Sequence, residues 1–325
     1  TPGSGAFSAE GSVSFLDNHS LISEDGGRRF EWTDLNAPAT RDALQFATKE
    51  GRPDNLRRVM SASGQVWLLG EQSTEVFYNT GDANNQFVRT PGGVIERGLL
   101  ARALAVEYED AIYTVADDKT VRVNSVQKIS TPAVDQALED ETPTNVFFYE
   151  DLGHRFVCVR FASRPAWCFD LQSGLWHERS SGVDLGAWDV VATAEFNGSW
   201  LALSSLGEIR TMARTNADGA EPLRRVMRSF PLDVDGEYLT VNEVELRVQT
   251  GKADIGRDLT VMARTTRNGA IWGPERTRKL GQLGNYARRA RFTALGGGYY
   301  FAIEFAISDA AEMPVENDVI VKVAA

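Results

Sequence analysis

The sequence is poor in the side chains on which metal sites and thiol chemistry depend: it has two cysteines, Cys158 and Cys168, and three histidines, His19, His154 and His177, in 325 residues. Two cysteines are too few for a disulfide framework and do not have a zinc spacing. They lie on apolar runs joined by Ala162-Ser163-Arg164-Pro165, so a turn centred on Ser163 places them opposite each other across a hairpin, where they are read as reduced core thiols. The histidines stand in unrelated contexts with no Cys, Asp or Glu at ligand spacing, so no metal site is expected, and His177 is read as a solvent-facing strand residue. A nucleophile elbow, a phosphate-cradling Gly loop before a helix and a zinc-protease motif are all missing. No catalytic residue and no cofactor is therefore expected. Gly296-Gly297-Gly298 reads as a turn before the strand Tyr299-Tyr300-Phe301.

Long hydrophobic runs are missing too. No stretch approaches the ~18 consecutive apolar residues of a membrane helix, and no basic-then-apolar signal opens the chain. The expectation is a soluble protein outside the general export route, with no membrane partner. The opening Thr1-Pro2-Gly3-Ser4-Gly5, without an initiator Met, reads as that of a trimmed or cleaved product. What is present is a 42% hydrophobic composition, enough for a sizeable core, in a chain longer than the ~250 residues at which single cores stop growing. Two domains are expected.

The net charge of -11 is uneven. Residues 1–222 carry 19 Lys and Arg against 32 Asp and Glu, and residues 223–325 carry 15 against 13. A first part at -13 repels a phosphate backbone, which excludes a DNA clamp. Such a charge serves ordinary solubility, or a conduit wall that DNA passes without specific binding.

One pattern recurs: a turn residue, two variable residues, then an aromatic opening an alternating run. It appears at Gly64-Gln65-Val66-Trp67, Asp110-Ala111-Ile112-Tyr113, Gly153-His154-Arg155-Phe156 and Asn197-Gly198-Ser199-Trp200, with aromatics about 43 to 46 residues apart. A looser copy, Ser12-Val13-Ser14-Phe15, lies upstream, and a second β-rich run follows the four copies at 75–78, 120–123, 166–170 and 208–211. Several short strands per unit with a period in the forties describe the four-stranded blades of a β-propeller. Stacked β-sandwiches of similar strand spacing would give the same pattern. Five units, the last incomplete, imply a small ring, one closed by the N-terminal strand, or one missing upstream blades.

The best helix signal is Ser130-Thr131-Pro132-Ala133-Val134-Asp135-Gln136-Ala137-Leu138-Glu139, with a capping hydroxyl and Pro at the first helical position. Residues 213–222 are polar and turn-rich, so the domain boundary is placed there, giving a propeller over 1–222 and a second domain over 223–325. In that second domain 239–249 alternates with one slip near Asn242, and 259–263, 299–307 and 319–323 alternate likewise, which predicts a small antiparallel β-sandwich.

Two segments look like the Asp-box turn of sialidase-type propellers. Residues 23–30 keep its Ser, Asp and Gly as Ser23, Asp25 and Gly26; residues 265–272 keep only Gly269 and Trp272. The motif is a folding device that signals blades rather than catalysis. One basic concentration, Arg276, Arg278, Lys279, Arg288, Arg289 and Arg291, reads as a solvated strand face or as docking to an acidic surface, such as the propeller of a neighbouring copy. Other candidate contacts are Asn79, Asp82, Asn84 and Asn85 in the loop 79–85, with Arg89, Glu96 and Arg97 beyond it. The alternative there is turn chemistry, with Gly81, Gly92 and Gly93 permitting positive φ.

Residues 67–81, Trp-Leu-Leu-Gly-Glu-Gln-Ser-Thr-Glu-Val-Phe-Tyr-Asn-Thr-Gly, resemble the packaged-DNA stabilisation protein family, the tail accessory factors of short-tailed phages. The likeness continues over 87–98 and returns at 128–134 and 174–180, so that it spans roughly 11–215. It is fainter beyond, at Gly281, Gly284, Tyr286, Leu295-Gly296 and Ile307-Ser308-Asp309. The resemblance implies a non-catalytic structural virion protein of the phage tail, assembled in the host bacterial cytoplasm. It implies a hub of the head-to-tail connector, assembled as a homo-oligomeric, hexameric ring beneath portal and adaptor proteins. Such a hub helps close the DNA exit and anchors the tail needle or tailspikes. It also implies upstream blades that this sequence lacks. The competing reading is a sialidase-like or carbohydrate-binding β-propeller.

Overall fold

The computed structural model describes residues 11–24, 26–82, 85–213, 215, 217, 218, 221–232, 236–249, 258–286, 288–309, 311 and 315–324. The chain divides into two compact units, residues up to 180 with 187–212, and 181–186 with those from 213 on.

In the first unit the strands form five antiparallel sheets, taken in chain order. They are β1 (Val13–Leu16), β2 (His19–Ser23), β3 (Arg29–Trp32) and β4 (Phe46–Thr48); then β5 (Leu56–Ala62), β6 (Gln65–Gly70), β7 (Thr74–Asn79) and β8 (Phe87–Ile95). The third holds β9 (Ala105–Tyr108), β10 (Ala111–Val115), β11 (Val121–Val123) and β12 (Gln127–Lys128), followed by helix α1 (Pro132–Asp140). The fourth holds β13 (Asn145–Asp151), β14 (His154–Arg160), β15 (Ala166–Asp170) and β16 (Leu175–Arg179), and the fifth β17 (Val190–Phe196), β18 (Ser199–Ser204) and β19 (Ile209–Thr211).

In every sheet a two-residue turn joins the first two strands: Asp17-Asn18, Ser63-Gly64, Glu109-Asp110, Leu152-Gly153 and Asn197-Gly198. All ten residues have positive φ, the type I′ geometry whose twist matches that of the strands it joins. These turns recur every 43 to 46 residues and are the underlying repeat. Against that mark, Trp67, Tyr113 and Phe156 occupy one place, three residues past the turn and opposite Met60, Val106 and Tyr149. Trp200 comes one residue early, opposite Glu195, and so projects from the other face. Phe15 lies on the first strand of its sheet, not the second. These two copies of the aromatic pattern are corrected, and the reason is physical. A middle sheet buries both faces, as Val66, Trp67, Leu68 and Leu69 do in succession, so an aromatic fits at either parity.

First strands of successive sheets adjoin, β1 with β5, β5 with β9, β9 with β13 and β13 with β17. Apolar layers fill the spaces between the sheets: Leu21, Phe30 and Trp32 meet Val66, Leu68 and Phe77 in one, and Tyr149, Phe156 and Trp188 form another. The unit is a β-propeller. Among the described residues the first and last sheets each keep one uncovered face, with Val13 and Phe15 70% and 61% exposed and Phe196 and Ile209 70% and 72%.

Carboxylates tie the connections between sheets to the turns below them. Asp54 accepts hydrogen bonds from the amides of Gln72 and Ser73, at 2.9 and 3.1 Å, and from the Ser73 hydroxyl at 2.8 Å, all in the β6–β7 turn. Glu141 holds the β14–β15 turn through the amides of Ala162 and Ser163, at 2.8 and 3.0 Å, and the Ser163 hydroxyl. Asp189 holds the β18–β19 turn through the Ser205 amide, at 3.1 Å, and hydroxyl. In the third sheet the roles reverse, and Asp117 in the turn accepts the Gly98 amide of the connection at 3.0 Å. The Asp54 clamp is buried and extended. The fully buried Lys49 ammonium donates to Asp54 and, at 2.5 Å, to Ser73 Oγ, and lies 3.9 Å from buried Glu75. A Cβ at Gly70 would overlap Asp54 and the Ser73 carbonyl, so only glycine fits there.

The hairpin β14–β15 sets Cys158 directly opposite Cys168, as expected, with both thiols free and buried. Burial pushes the Cys158 thiol up. His177 is corrected: it pairs with Cys168 in register, stands 5.3 Å from the Phe156 ring and is pushed down to about 4 by burial and then by the Arg179 charge. Helix α1 begins at Pro132 as predicted, but Thr131 makes no side-chain cap. Instead Ser130 Oγ donates to Asp135 at 2.5 Å.

The second unit opens with β20 (Ala217–Asp218) and β21 (Glu221–Pro222), then β22 (Arg225–Arg228), β23 (Leu239–Val248), β24 (Leu259–Thr266), β25 (Arg276–Gly281), β26 (Ala290–Gly298), β27 (Ala302–Ile307) and β28 (Val315–Ala324). Sheets β22-β27-β24-β25 and β26-β23-β28 pack around Val244, Leu246, Phe292 and Phe305 as an antiparallel β-sandwich. The slip near Asn242 is a register shift between Val241 and Glu243. Gly296-Gly297-Gly298 is corrected from a turn to the end of β26, with the turn at Tyr299-Tyr300. The Asp-box-like segment forms the folding device expected of it, but in the sandwich rather than in a blade. Asn268 Oδ1 accepts the Ala270 and Ile271 amides at 3.0 and 2.9 Å, and Trp272 packs under the Arg228 and Arg264 guanidiniums. Of the other copy, Asp25 lies outside the described residues.

Three outcomes follow. Leu152, exposed at φ +55, carries a left-handed penalty that Asn tolerates better, so Leu152→Asn is expected to raise stability by about 1 kcal/mol in urea unfolding. Removing the Lys49 ammonium strands Asp54 and Glu75, so Lys49→Met is expected to cost about 3–5 kcal/mol in the same assay. The third concerns acid. Burial raises the Asp54 and Glu141 carboxyls, but donors from Lys49, Gln72 and Ser73 in one and from Ser163 and Ala162 in the other bring both below their ordinary values; the Ser205 hydroxyl is the chief cause of the same shift at Asp189. A depressed carboxylate stabilises the fold above its unfolded pKa, and that contribution is lost as pH falls through the folded value. Stability should therefore drop below about pH 4, and Asp189→Asn should cost less stability at pH 3 than at pH 7.

Candidate functional site

The first group of candidate contacts lies on the outermost hairpin of the second sheet, β7–β8. Its tip is built by local bonds: the Thr80 hydroxyl donates to the Asn85 carbonyl at 2.7 Å and accepts the Asp82 amide at 3.1 Å, and Asn79 Oδ1 accepts the Gly81 amide at 3.0 Å. Asn79 also donates to Asp17 of the first sheet at 2.9 Å. Asn84 lies outside the described residues. Strand β8 then follows the sheet edge opposite the six residues of β7, about 20 Å, with residues 90–93 bulged out of the pairing between Arg89 and Val94. Pro91 is tolerated because that edge needs no donor. Gly92 has φ +72 and Gly81 φ +74, but Gly93 does not share their conformation. Gly93 is needed for closeness instead, since a Cβ there would come within 2.8 Å of the Thr90 carbonyl.

At the far end the side chains gather. Arg89 approaches buried Glu75 at 3.5 Å, Glu96 pairs with Arg52, and Arg97 reaches Asp118 at 3.1 Å, which Arg122 also holds at 2.7 Å. Beside them a pocket of about 640 Å³ is lined by Arg52, Arg57, Glu71, Gln72, Glu96 and Asp117. The structure thus brings Glu96 and Arg97 together and leaves Asn79, Asp82 and Asn85 at the opposite end of β8.

The basic run of the sandwich comes together on β25, β26 and the connection between them, but half of its charge is answered by neighbouring carboxylates. Arg289 binds Glu245 in a two-pronged pair, Arg291 reaches Glu243 at 3.1 Å and Glu245 at 3.3 Å, and Lys279 reaches Asp258 at 3.4 Å. Glu243 also takes Lys322 at 2.9 Å. The opposite sheet repeats the arrangement: Glu304, on the central strand, is flanked in register by Arg228 and Arg264, each at 2.6 Å. Burial raises Glu304, but these two guanidiniums bring its carboxyl below the ordinary range. Arg276 and Arg278 donate to main-chain carbonyls, and Arg288 is exposed.

The histidines serve the fold. His19 bonds the Thr33 carbonyl and Gln86, both at 2.6 Å, and His154 bonds Asp170 at 2.8 Å. Among the described residues no group of three or more His, Cys, Asp or Glu could hold a metal ion. No described helix is long and apolar enough to cross a membrane. Sequence reasoning missed the Lys49–Asp54–Ser73–Glu75 network. Its signal lay in 67–81, where Gly70, Ser73 and Glu75 are the residues that the buried clamp requires.

A family model described as Bacteriophage P22 Gp10, beta-propeller, matches residues 12–209, and another described as Bacteriophage P22 Gp10, beta-sandwich, matches residues 224–320. No curated protein matches the chain significantly. Among solved structures, an exo-beta-1,3-galactanase from Phanerochaete chrysosporium with beta-1,3-galactotriose is similar over 99% of this chain and 98% of that one, at 10% identity and a TM-score of 0.36. With a propeller matched over the five sheets and a sandwich over the two that follow, the chain belongs to the Bacteriophage P22 Gp10 family, the packaged-DNA stabilisation proteins of the phage tail.

Proposed function

We propose that the protein is a non-enzymatic tail hub of the virion, assembled in the host cytoplasm as a homo-oligomeric ring that helps close the DNA exit channel and anchors needle or spikes. The observation that carries this reading is the pair of family matches in series, one on each structural unit. The physical character of the molecule supports it. Stacked sheets tied by carboxylate clamps make a stiff spacer, and the acidic balance of 1–222 suits a surface that DNA passes without sticking. The far end of β8, with Glu96 and Arg97, the exposed Arg276, Arg278, Arg288 and Arg289 and the half-buried Arg291 are the contacts proposed for ring neighbours and for portal or adaptor proteins. Asn79, Asp82, Asn84 and Asn85 are proposed for the hairpin tip.

One observation favours the glycan-binding alternative: the pocket of about 640 Å³ combines arginines with the carboxylates Glu71, Glu96 and Asp117. A glycosidase needs a carboxyl kept protonated by a raised pKa. Glu96 is paired with Arg52, and Asp117 holds the Gly98 amide.

Light scattering over a concentration series, with pull-down on portal–adaptor complexes, tests the hub reading. Rings that grow with concentration and bind the complexes are expected. Glu96→Arg with Arg97→Glu should weaken assembly about tenfold while leaving thermal stability near that of the parent. A monomer at every concentration that hydrolyses glycans would establish the alternative.

A further inference from the structure

The sandwich holds a second pocket, of about 320 Å³, between the β24–β25 connection and β26. Three arginines line it, Arg264, Arg267 and Arg276, with Asn268, Ile271 and Leu295. Arg264 is neutralised by Glu304. Arg267 and Arg276, like Arg278 and Arg288, have no carboxylate within ion-pair distance among the described residues, and they are the two of these that line the pocket.

Both are nevertheless held in place. Arg276 Nη1 donates to the carbonyls of Thr293 and Ala294 at 2.8 and 3.1 Å, and Arg267 Nη2 to the carbonyl of Leu295 at 3.1 Å. Three consecutive carbonyls of β26 therefore position two guanidiniums. They can do so because the strand is bulged. Residues 293–296 of β26 face only 241–243 of β23, and within the bulge Ala294 has φ +54 and Gly296 φ +79. An alanine in the left-handed region costs on the order of 1 kcal/mol, and bulges re-aim groups at binding sites. Because β26 is an edge strand, a flat backbone would turn only alternate carbonyls outward, whereas the bulge presents three in succession to the two arginines.

We propose that this pocket is a binding site for a carboxylate side chain presented by an acidic protein segment. Two fixed guanidiniums with donors to spare offer the forked geometry that carboxylates accept. Exposed Ile271 at the rim, 72% accessible, offers an apolar seat for a residue next to the acid. A nucleic-acid backbone fits less well, since it needs a long track of uncompensated cations, whereas Arg228, Arg264, Arg289 and Arg291 are answered by Glu243, Glu245 and Glu304 and the chain carries -11. The site shares Arg276 with the contacts proposed for the hub but does not rest on that reading, because Arg267 and the rest of the pocket lie outside those contacts.

The test uses the full chain and a fluorescent Glu-Leu repeat peptide, read by polarisation at low and high salt. Binding that weakens with salt, and an affinity about tenfold lower in the Arg267→Gln, Arg276→Gln variant, are expected. Lys322→Gln, an exposed lysine paired with Glu243 that does not line the pocket, should bind as the parent does. Should the double variant unfold, Arg276→Gln alone, which keeps the Arg267 contact to Leu295, is expected to show about a fivefold loss. A Gln-Leu peptide of the same length should not bind. Equal binding to the variants, equal binding of the Gln-Leu peptide, or displacement by inorganic phosphate or duplex DNA at concentrations at which a free Glu-Leu peptide does not displace would each overturn the assignment.

Discussion

The first unit rests on a single recurring constraint, a carboxylate that reaches from the chain entering a sheet to the turn between that sheet's second and third strands. Asp54, Glu141 and Asp189 each accept amide and serine donors there, with Ser73, Ser163 and Ser205 as partners. A β-turn leaves amides without partners, and a connection leaves the sheet free to tilt. One charged acceptor corrects both, because a carboxylate holds several donors at once and binds them more strongly than a neutral oxygen does. Without that tie the apolar layers between sheets would still form, but their angle would be set only by nondirectional packing.

The same economy governs the sandwich, where glutamates on central strands gather cations across strands. Glu304 draws Arg228 and Arg264 from both sides, and Glu245 draws Arg289 and Arg291. Cross-strand charge pairs of this kind fix register on an outer face that has no core to fix it. They also decide what that face can recognise. A basic run that would attract phosphates as a free cluster is half neutralised once folded, and the cations left over are defined by position rather than by number.

Much of the architecture was legible in the sequence. The period in the forties, the third-strand runs at 75–78 and 166–170, the facing cysteines, the helix at Pro132 and the slip near Asn242 all follow from local residue types acting over short range. The phase of the repeat was less legible. Turn pairs as different as Asp-Asn, Ser-Gly and Leu-Gly all adopt positive φ, so the conserved geometry has no conserved spelling, and aromatics mark a blade without marking its face. The candidate contacts were half legible, since charge can be counted along the chain but its neutralisation depends on strands far apart in sequence.

The sequence by itself determined that strands would form, where they would turn and how often they would repeat, because backbone propensity and alternation act between neighbours. Only the tertiary structure decided which face each aromatic serves, which arginines keep uncompensated charge, and that Lys49 and Glu75 are buried as one network. Those outcomes depend on partners 20 to 90 residues away, such as Lys49 with Ser73 and Arg225 with Ala311. Distance along the chain carries no signal for such pairings until packing brings the groups together.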